Sequence, residues 1–86
     1  MEHAGLAALD SLEELLAAIR KREGVRERGR GNFFRKGRAL VHFHQDAAGL
    51  FADLHDGPEW RRLRVSQPHE QKRFLGALDK AIKRAG

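Results

Sequence analysis

Cysteine, threonine and tyrosine are absent from this sequence, and serine occurs only at Ser11 and Ser66. Without cysteine there can be no disulfide, iron–sulfur cluster, thiolate zinc site or cysteine nucleophile, so any metal would need histidine and carboxylate ligands. Because side-chain hydroxyls are so scarce, nucleophilic hydroxyl catalysis has little to work with. We therefore expect a non-enzymatic protein that carries no cofactor.

Long apolar runs are also missing, since no stretch approaches the roughly 20 residues that span a bilayer. Residues 1–9 contain Glu2 but no Lys or Arg, which is unlike a secretory signal or an Arg-rich transit peptide. We predict a cytoplasmic protein with no membrane partner. At 86 residues the chain is expected to form a single domain, 1–86.

Positive charge is in excess, with 17 Lys plus Arg against 12 Asp plus Glu and a net charge of +5. Nine of these cations and two Glu fall within residues 20–38, where the local charge is 9 − 2 = +7. Such an excess favours an anionic partner such as nucleic acid. The competing interpretation is compositional: Arg outnumbers Lys twelve to five and Ala and Gly are abundant, a bias that GC-rich coding can impose.

Two segments have helical patterns. Ser11 to Glu14 resembles a capping box, and the apolar spacing that follows predicts a first helix from about Leu12 to Glu23, stopped by Gly24. Pro68, with Ser66 or Gln67 as cap, begins a second apolar stripe that predicts a helix to about Arg84. Residues 1–9 are expected to fray or to add a loose turn.

Between the helices, short apolar segments separated by turn signals predict four strands, and residues 24–31 before them are predicted to be a flexible basic loop. The predicted class is α+β: a two-layer fold with a four-stranded antiparallel meander, both terminal helices on one face, and the order αββββα. The predicted strands are Asn32–Arg35, Arg38–Gln45, Leu50–His55 and Trp60–Val65.

Side chains alternate along a strand, so turn length decides which residues share a face. We predict four-residue loops at 46–49 and 56–59 and a two-residue turn at Lys36–Gly37, which places Phe33 opposite Leu40. A three-residue loop with Gly49 as a bulge is the competing turn at 46–49, but it would mix polar and apolar side chains on both faces. The face that the helices leave open is then our candidate ligand surface. Its predicted members, besides Leu40, are Phe33, His42, His44, Phe51, Asp53, His55, Trp60, Arg62 and Arg64.

The first hypothesis for this face is binding of nucleic acid or another polyanion. Phe33, Phe51 and Trp60 would act as stacking platforms, and arginines would contact phosphate. No RNP-like motif, KH-type glycine loop or helix-turn-helix spacing accompanies them. The basic residues expected to extend this surface are Arg26, Arg28, Arg30, Arg35, Lys36 and Arg38.

Two alternatives remain open. A protein partner or a second copy of the chain would cover the aromatic residues and make this an interaction or homodimerisation domain. A metal site is the lesser alternative, because His42 and His44 lie about 6.6 Å apart along one side of a strand and Asp53 faces them from the next. Arg62 is expected beside Asp53, where it would compete for the carboxylate and repel a cation.

Overall fold

The computed structural model of the protein describes residues 2–85 and shows an α+β fold with a six-stranded antiparallel sheet. The sheet order is β2-β3-β4-β5-β6, and β1 pairs with the part of the β4 edge that β3 leaves uncovered. The elements are β1 (Glu2–His3), α1 (Leu6–Ser11), α2 (Glu13–Arg20), β2 (Val25–Glu27), β3 (Phe33–Arg35), β4 (Arg38–Asp46), β5 (Gly49–Asp56), β6 (Glu59–Arg64) and α3 (Pro68–Ala85).

The predicted strand count and element order are wrong by two short strands. The four predicted strands correspond to β3 through β6, whereas β1 and β2 pair at positions where we expected a frayed terminus and a loop. Both strands have only two or three residues, too few for a period of two to show in the sequence. Each is stabilised instead by pairing with a neighbouring strand, β1 with β4 and β2 with β3.

The helix predicted from about Leu12 to Glu23 corresponds to α2, and an additional helix, α1, lies before it where we expected a frayed end or a loose turn. Ser11 is the last residue of α1 and its hydroxyl donates to the Ala8 carbonyl at 2.7 Å, so it does not cap the helix that follows. Leu12 separates α1 from α2, which begins at Glu13 with no side-chain cap and ends at Arg20. The last helix, α3, starts at Pro68 as predicted.

The two long hairpins have the predicted register. His42 lies opposite Asp53, and Asp53 lies opposite Arg62, with the flanking pairs in step. Each hairpin closes one pair further than expected, at Asp46–Gly49 and Asp56–Glu59, which shortens the loop by two residues and so preserves the parity. Gly49 adopts a φ of 133° and Gly57 a φ of 64°, conformations that favour glycine.

The pairing of β3 with β4 departs from the prediction by one residue. Phe34 lies opposite Ala39 as expected, but Phe33 lies opposite Val41 because the register shifts and Leu40 has no partner. Such a bulge reverses the parity beyond it. Phe33 is fully buried and Leu40 is 7% exposed, so the prediction that these two side chains belong to the open face is wrong.

One hydrophobic core lies between the sheet and the three helices. Its helical members come from α1, α2 and α3, with Leu12 between the first two, and they pack with inward side chains of the sheet. The buried residues are Leu9, Leu12, Leu15, Leu16, Ile19, Phe33, Leu40, Val41, Phe43, Ala52, Leu54, Val65, Phe74, Leu78 and Ala81. No helix within residues 2–85 contributes a core contact on the opposite side of the sheet.

Candidate binding face

The open face is the side of β4, β5 and β6 that carries the even-numbered residues of β4 from His42 onward, the odd-numbered residues of β5 and the even-numbered residues of β6. None of these side chains reaches full burial, and Trp60 is 45% exposed. The structure brings together eight of the nine predicted ligand residues there, all except Phe33. They are His42, His44, Phe51, Asp53, His55, Trp60, Arg62 and Arg64.

Asp53 is the centre of the polar contacts on the open face. Its carboxylate accepts two hydrogen bonds from Arg62, from Nε at 2.7 Å and from Nη2 at 2.8 Å. His44 Nε2 lies 2.9 Å from Asp53 Oδ2 on the other side. Because cross-strand neighbours supply both partners, the sheet register itself builds this row.

These contacts alter the ionisation of the row. The hydrogen bonds from Arg62 hold the pKa of Asp53 below its usual value, and burial opposes that effect. Partial burial lowers the pKa of His42, and the nearby His44 and His3 lower it further. Asp53 is thus a carboxylate at neutral pH, while His42 has less tendency than an ordinary histidine to carry a proton.

Trp60 forms the aromatic part of the open face. Its indole stacks on the His55 ring at 4.6 Å between centroids with an angle of 11° between the planes, and it lies 4.9 Å from the ring of His42. The Nδ1 atom of His55 is 3.1 Å from the Ala39 carbonyl oxygen, which anchors the ring beneath the indole. The result is a supported aromatic surface with nearly half of the indole in solvent.

His3 is a member of this site that the sequence did not reveal. It lies opposite His44 in the pairing of β1 with β4, and their ring centroids are 4.8 Å apart. His42 is 6.5 Å from it. A strand of two residues has no pattern by which it could be recognised, and its contact with β4 spans some forty positions of sequence.

Phe51 and Arg64 occupy the end of the open face near α3. Phe51 is half-buried opposite Arg64. The guanidinium of Arg64 donates to the Ala48 carbonyl at 3.0 and 3.1 Å and to Glu70 at 3.1 Å. This arginine therefore ties the β4–β5 turn to the start of α3, and less of it is available to a ligand than we expected.

Phe34 takes the place that Phe33 was predicted to occupy. It is partly exposed on the outward side of β3, opposite Arg26 of β2. The guanidinium carbon of Arg28 stands 5.7 Å from the centre of the Phe34 ring, within the range of a cation–π contact. We call Arg26, Arg28 and Phe34 the β2–β3 patch.

The other predicted basic residues divide into two groups. Arg30 is bound to Asp10 at 2.6 Å and Glu13 at 2.8 Å, so it joins the β2–β3 loop to the first two helices and is not free to meet an anion. Arg35 and Arg38 face each other beside the Lys36–Gly37 turn, on the side away from Phe34. The predicted basic surface is therefore split between the two sides of the sheet.

The geometry gives no support to a metal centre. Within residues 2–85, no group of three or more histidine or carboxylate side chains is arranged to hold an ion. Asp53, the carboxylate expected to serve as a ligand, is engaged by Arg62 and His44 instead. A guanidinium beside the carboxylate also disfavours a second cation there.

Comparisons with family models, with curated proteins and with solved structures found no match to this chain. None of the helices within residues 2–85 has the length and apolarity required to cross a membrane.

Proposed function

We propose that the open face, extended by the β2–β3 patch, binds single-stranded nucleic acid or another polyanion in a non-enzymatic manner. The observation that carries this proposal is the half-exposed Trp60 indole, stacked on His55 and flanked by Arg62. A supported aromatic ring offers a base its π-face, and stacking of this kind contributes about 1–3 kcal/mol per base.

The second support is charge that remains unneutralised. Arg26 and Arg28 of the β2–β3 patch form no ion pair with a carboxylate within residues 2–85, and they flank the partly exposed Phe34. A phosphate chain that crosses the sheet from this patch to Trp60 would meet an aromatic ring and at least one arginine at each end. Contacts of this kind to phosphate are insensitive to sequence.

Arg62 is expected to position the ligand more than to attract it. Two of the five N–H donors of its guanidinium are used by Asp53, whose negative charge offsets that of the arginine. Trp60 is two residues before Arg62 on the same strand, so the two side chains lie on the same side of the sheet. Asp53 thus fixes the guanidinium next to the stacking surface.

The test is titration with a labelled single-stranded RNA, followed by fluorescence anisotropy and by the emission of Trp60, which is the sole tryptophan. We expect binding that weakens steeply with salt and quenches the indole. Trp60→Ala, Arg62→Ala and Arg28→Ala should each reduce affinity. Lys72→Ala is the matched control, because Lys72 is exposed on α3 and has no ion pair within residues 2–85.

Absent binding, binding that ignores salt, or equal losses in Lys72→Ala and Arg28→Ala would remove the proposal. Self-association is the alternative, in which a second copy covers Trp60. Light scattering at increasing concentration distinguishes the two: a dimer that Trp60→Ala dissociates, without affinity for RNA, would replace nucleic-acid binding by homodimerisation.

A further inference from the structure

A second concave surface lies at the end of the sheet, away from Phe34. It is an open cleft of about 420 Å³ bordered by the β3–β4 turn, the β5–β6 turn and the last turns of α3. Leu40, Ala81 and Ile82 form its apolar floor, while Arg35 and Arg38 stand on one side. The cleft exists because the bulge in β4 turns Leu40 toward α3.

The two arginines are in an unfavourable arrangement. Arg35 and Arg38 lie directly opposite each other in the β3–β4 pairing, and like charges at such positions repel. Neither forms an ion pair with a carboxylate within residues 2–85.

Arg35 also has an unsatisfied donor. Its Nε is buried, and no acceptor within residues 2–85 takes a hydrogen bond from it. A buried donor without a partner is destabilising, and one that belongs to a charged group more so. This buried Nε is closed off from the cleft, so an anion there would act on the positive charges of Arg35 and Arg38, both of which line it.

We propose that this cleft binds a small organic carboxylate with a hydrocarbon tail. A carboxylate matches the forked donors of a guanidinium, and a tail suits the floor made by Leu40, Ala81 and Ile82. At roughly 30 Å³ per water-sized group, the volume corresponds to a ligand of roughly ten to fourteen non-hydrogen atoms. The C-terminal end of α3 carries a partial negative charge of about one half, which is smaller than the charge of the three cationic residues that line the cleft, Arg35, Lys36 and Arg38.

The test is an NMR titration of the whole chain with octanoate, compared with octanol, which keeps the tail, and inorganic phosphate, which keeps only the charge. We expect saturable shifts with octanoate at the amides of Leu40, Gly57 and Ile82, and much weaker effects with the other two probes. Arg38→Ala should weaken octanoate binding by at least about fivefold, as expected for the loss of one charge-assisted hydrogen bond at a partly solvated site.

A second variant and a control distinguish a loss of octanoate binding from a loss of folding. Ala85→Glu places a carboxylate at the exposed rim and should weaken octanoate binding without disturbing the core. Arg28→Ala removes a cation outside the cleft and should leave octanoate binding unchanged while reducing that of RNA.

Absence of saturable shifts would overturn the proposal, as would octanol binding as tightly as octanoate. Insensitivity to both Arg38→Ala and Ala85→Glu would do the same. Because Arg28→Ala and Ala85→Glu act on separate surfaces, failure of octanoate binding and failure of RNA binding are distinguishable.

Discussion

The two sides of this sheet are built from the same strands, yet different forces hold their side chains. On the inner side, Phe33, Val41 and Leu54 are fully buried against the helices, and the hydrophobic effect decides their positions. On the open side, Asp53, Arg62 and Trp60 are ordered by hydrogen bonds and ring stacking in partial contact with water. Substitutions on the inner side should therefore change stability, and those on the open side should change ionisation and binding.

The largest contrast is expected between two adjacent phenylalanines. Phe33→Ala removes a fully buried ring and should lower the free energy of unfolding by about 3–5 kcal/mol. Phe34→Ala removes a partly exposed ring and its contact with Arg28, which should lower it by about 1 kcal/mol. Urea unfolding followed by circular dichroism measures both. Equal effects would contradict the bulge that sends these neighbours to opposite sides.

Phe33 and Phe34 also show how much of the sheet could be predicted from the sequence. The alternation of β4, β5 and β6 predicted the register of the two long hairpins because apolar and polar residues separate cleanly once the turns are placed. A bulge at Leu40 breaks that rule without any glycine or proline to indicate it. Packing decided the outcome, since the bulge buries both Phe33 and Leu40.

The second contrast is between Leu40 and Trp60, which strand alternation alone would place in one row of the open face. Leu40→Ala should lower the free energy of unfolding by about 2–3 kcal/mol, the lower part of the range for buried leucines because Leu40 borders the cleft. Trp60→Ala should change it by less, since nearly half of the indole is already in solvent. Thermal unfolding of both variants is the measurement. A larger loss for Trp60→Ala would mean that the open side carries more of the stability than its exposure implies.

Side-chain contacts across long distances in sequence were the least predictable part of the site. His3 reaches His44 through a two-residue strand, and Arg30 is held by Asp10 and Glu13 from the first two helices. Nothing local marks Arg30 as different from Arg28, although one is paired with carboxylates and the other lies over an aromatic ring. Charge density identified the segment, but only the fold assigns each arginine its partner.

The third prediction concerns acid stability on the open side. The pKa of Asp53 is lowered chiefly by Arg62, so this pair stabilises the fold above the ordinary pKa of 3.8 and loses its effect as pH falls through the lower value in the folded protein. Arg62→Ala should raise the pKa of Asp53 and should destabilise the fold at neutral pH but not at a pH below the lowered pKa of that carboxyl. Carbon-13 NMR of the carboxyl follows the pKa directly. An unchanged Asp53 titration in Arg62→Ala would show that His44 is the stronger partner.

The smallest expected effect on stability is that of the protonation of His42. Its pKa is lowered from 6.5 by burial and by His44 and His3, against the opposing charge of Asp53, so the folded state binds fewer protons than the unfolded chain just below that pH. Stability should therefore be complete above about 6.5 and should decline as pH falls through the lower pKa of the folded protein.

His42→Gln should remove this part of the acid dependence, which comparison of urea unfolding at pH 7.5 and at about pH 5.5 would show. His55→Gln is the matched control, because it too removes a ring beside Trp60 but His55 is not one of the three mutually neighbouring histidines His3, His42 and His44. If both variants lose the same part of the acid dependence of stability, proton binding near Trp60 would be a property of the whole aromatic cluster. If only His42→Gln does, the crowding of three histidines along β1 and β4 makes the open face, and not the core, the part of this fold that responds to mild acid.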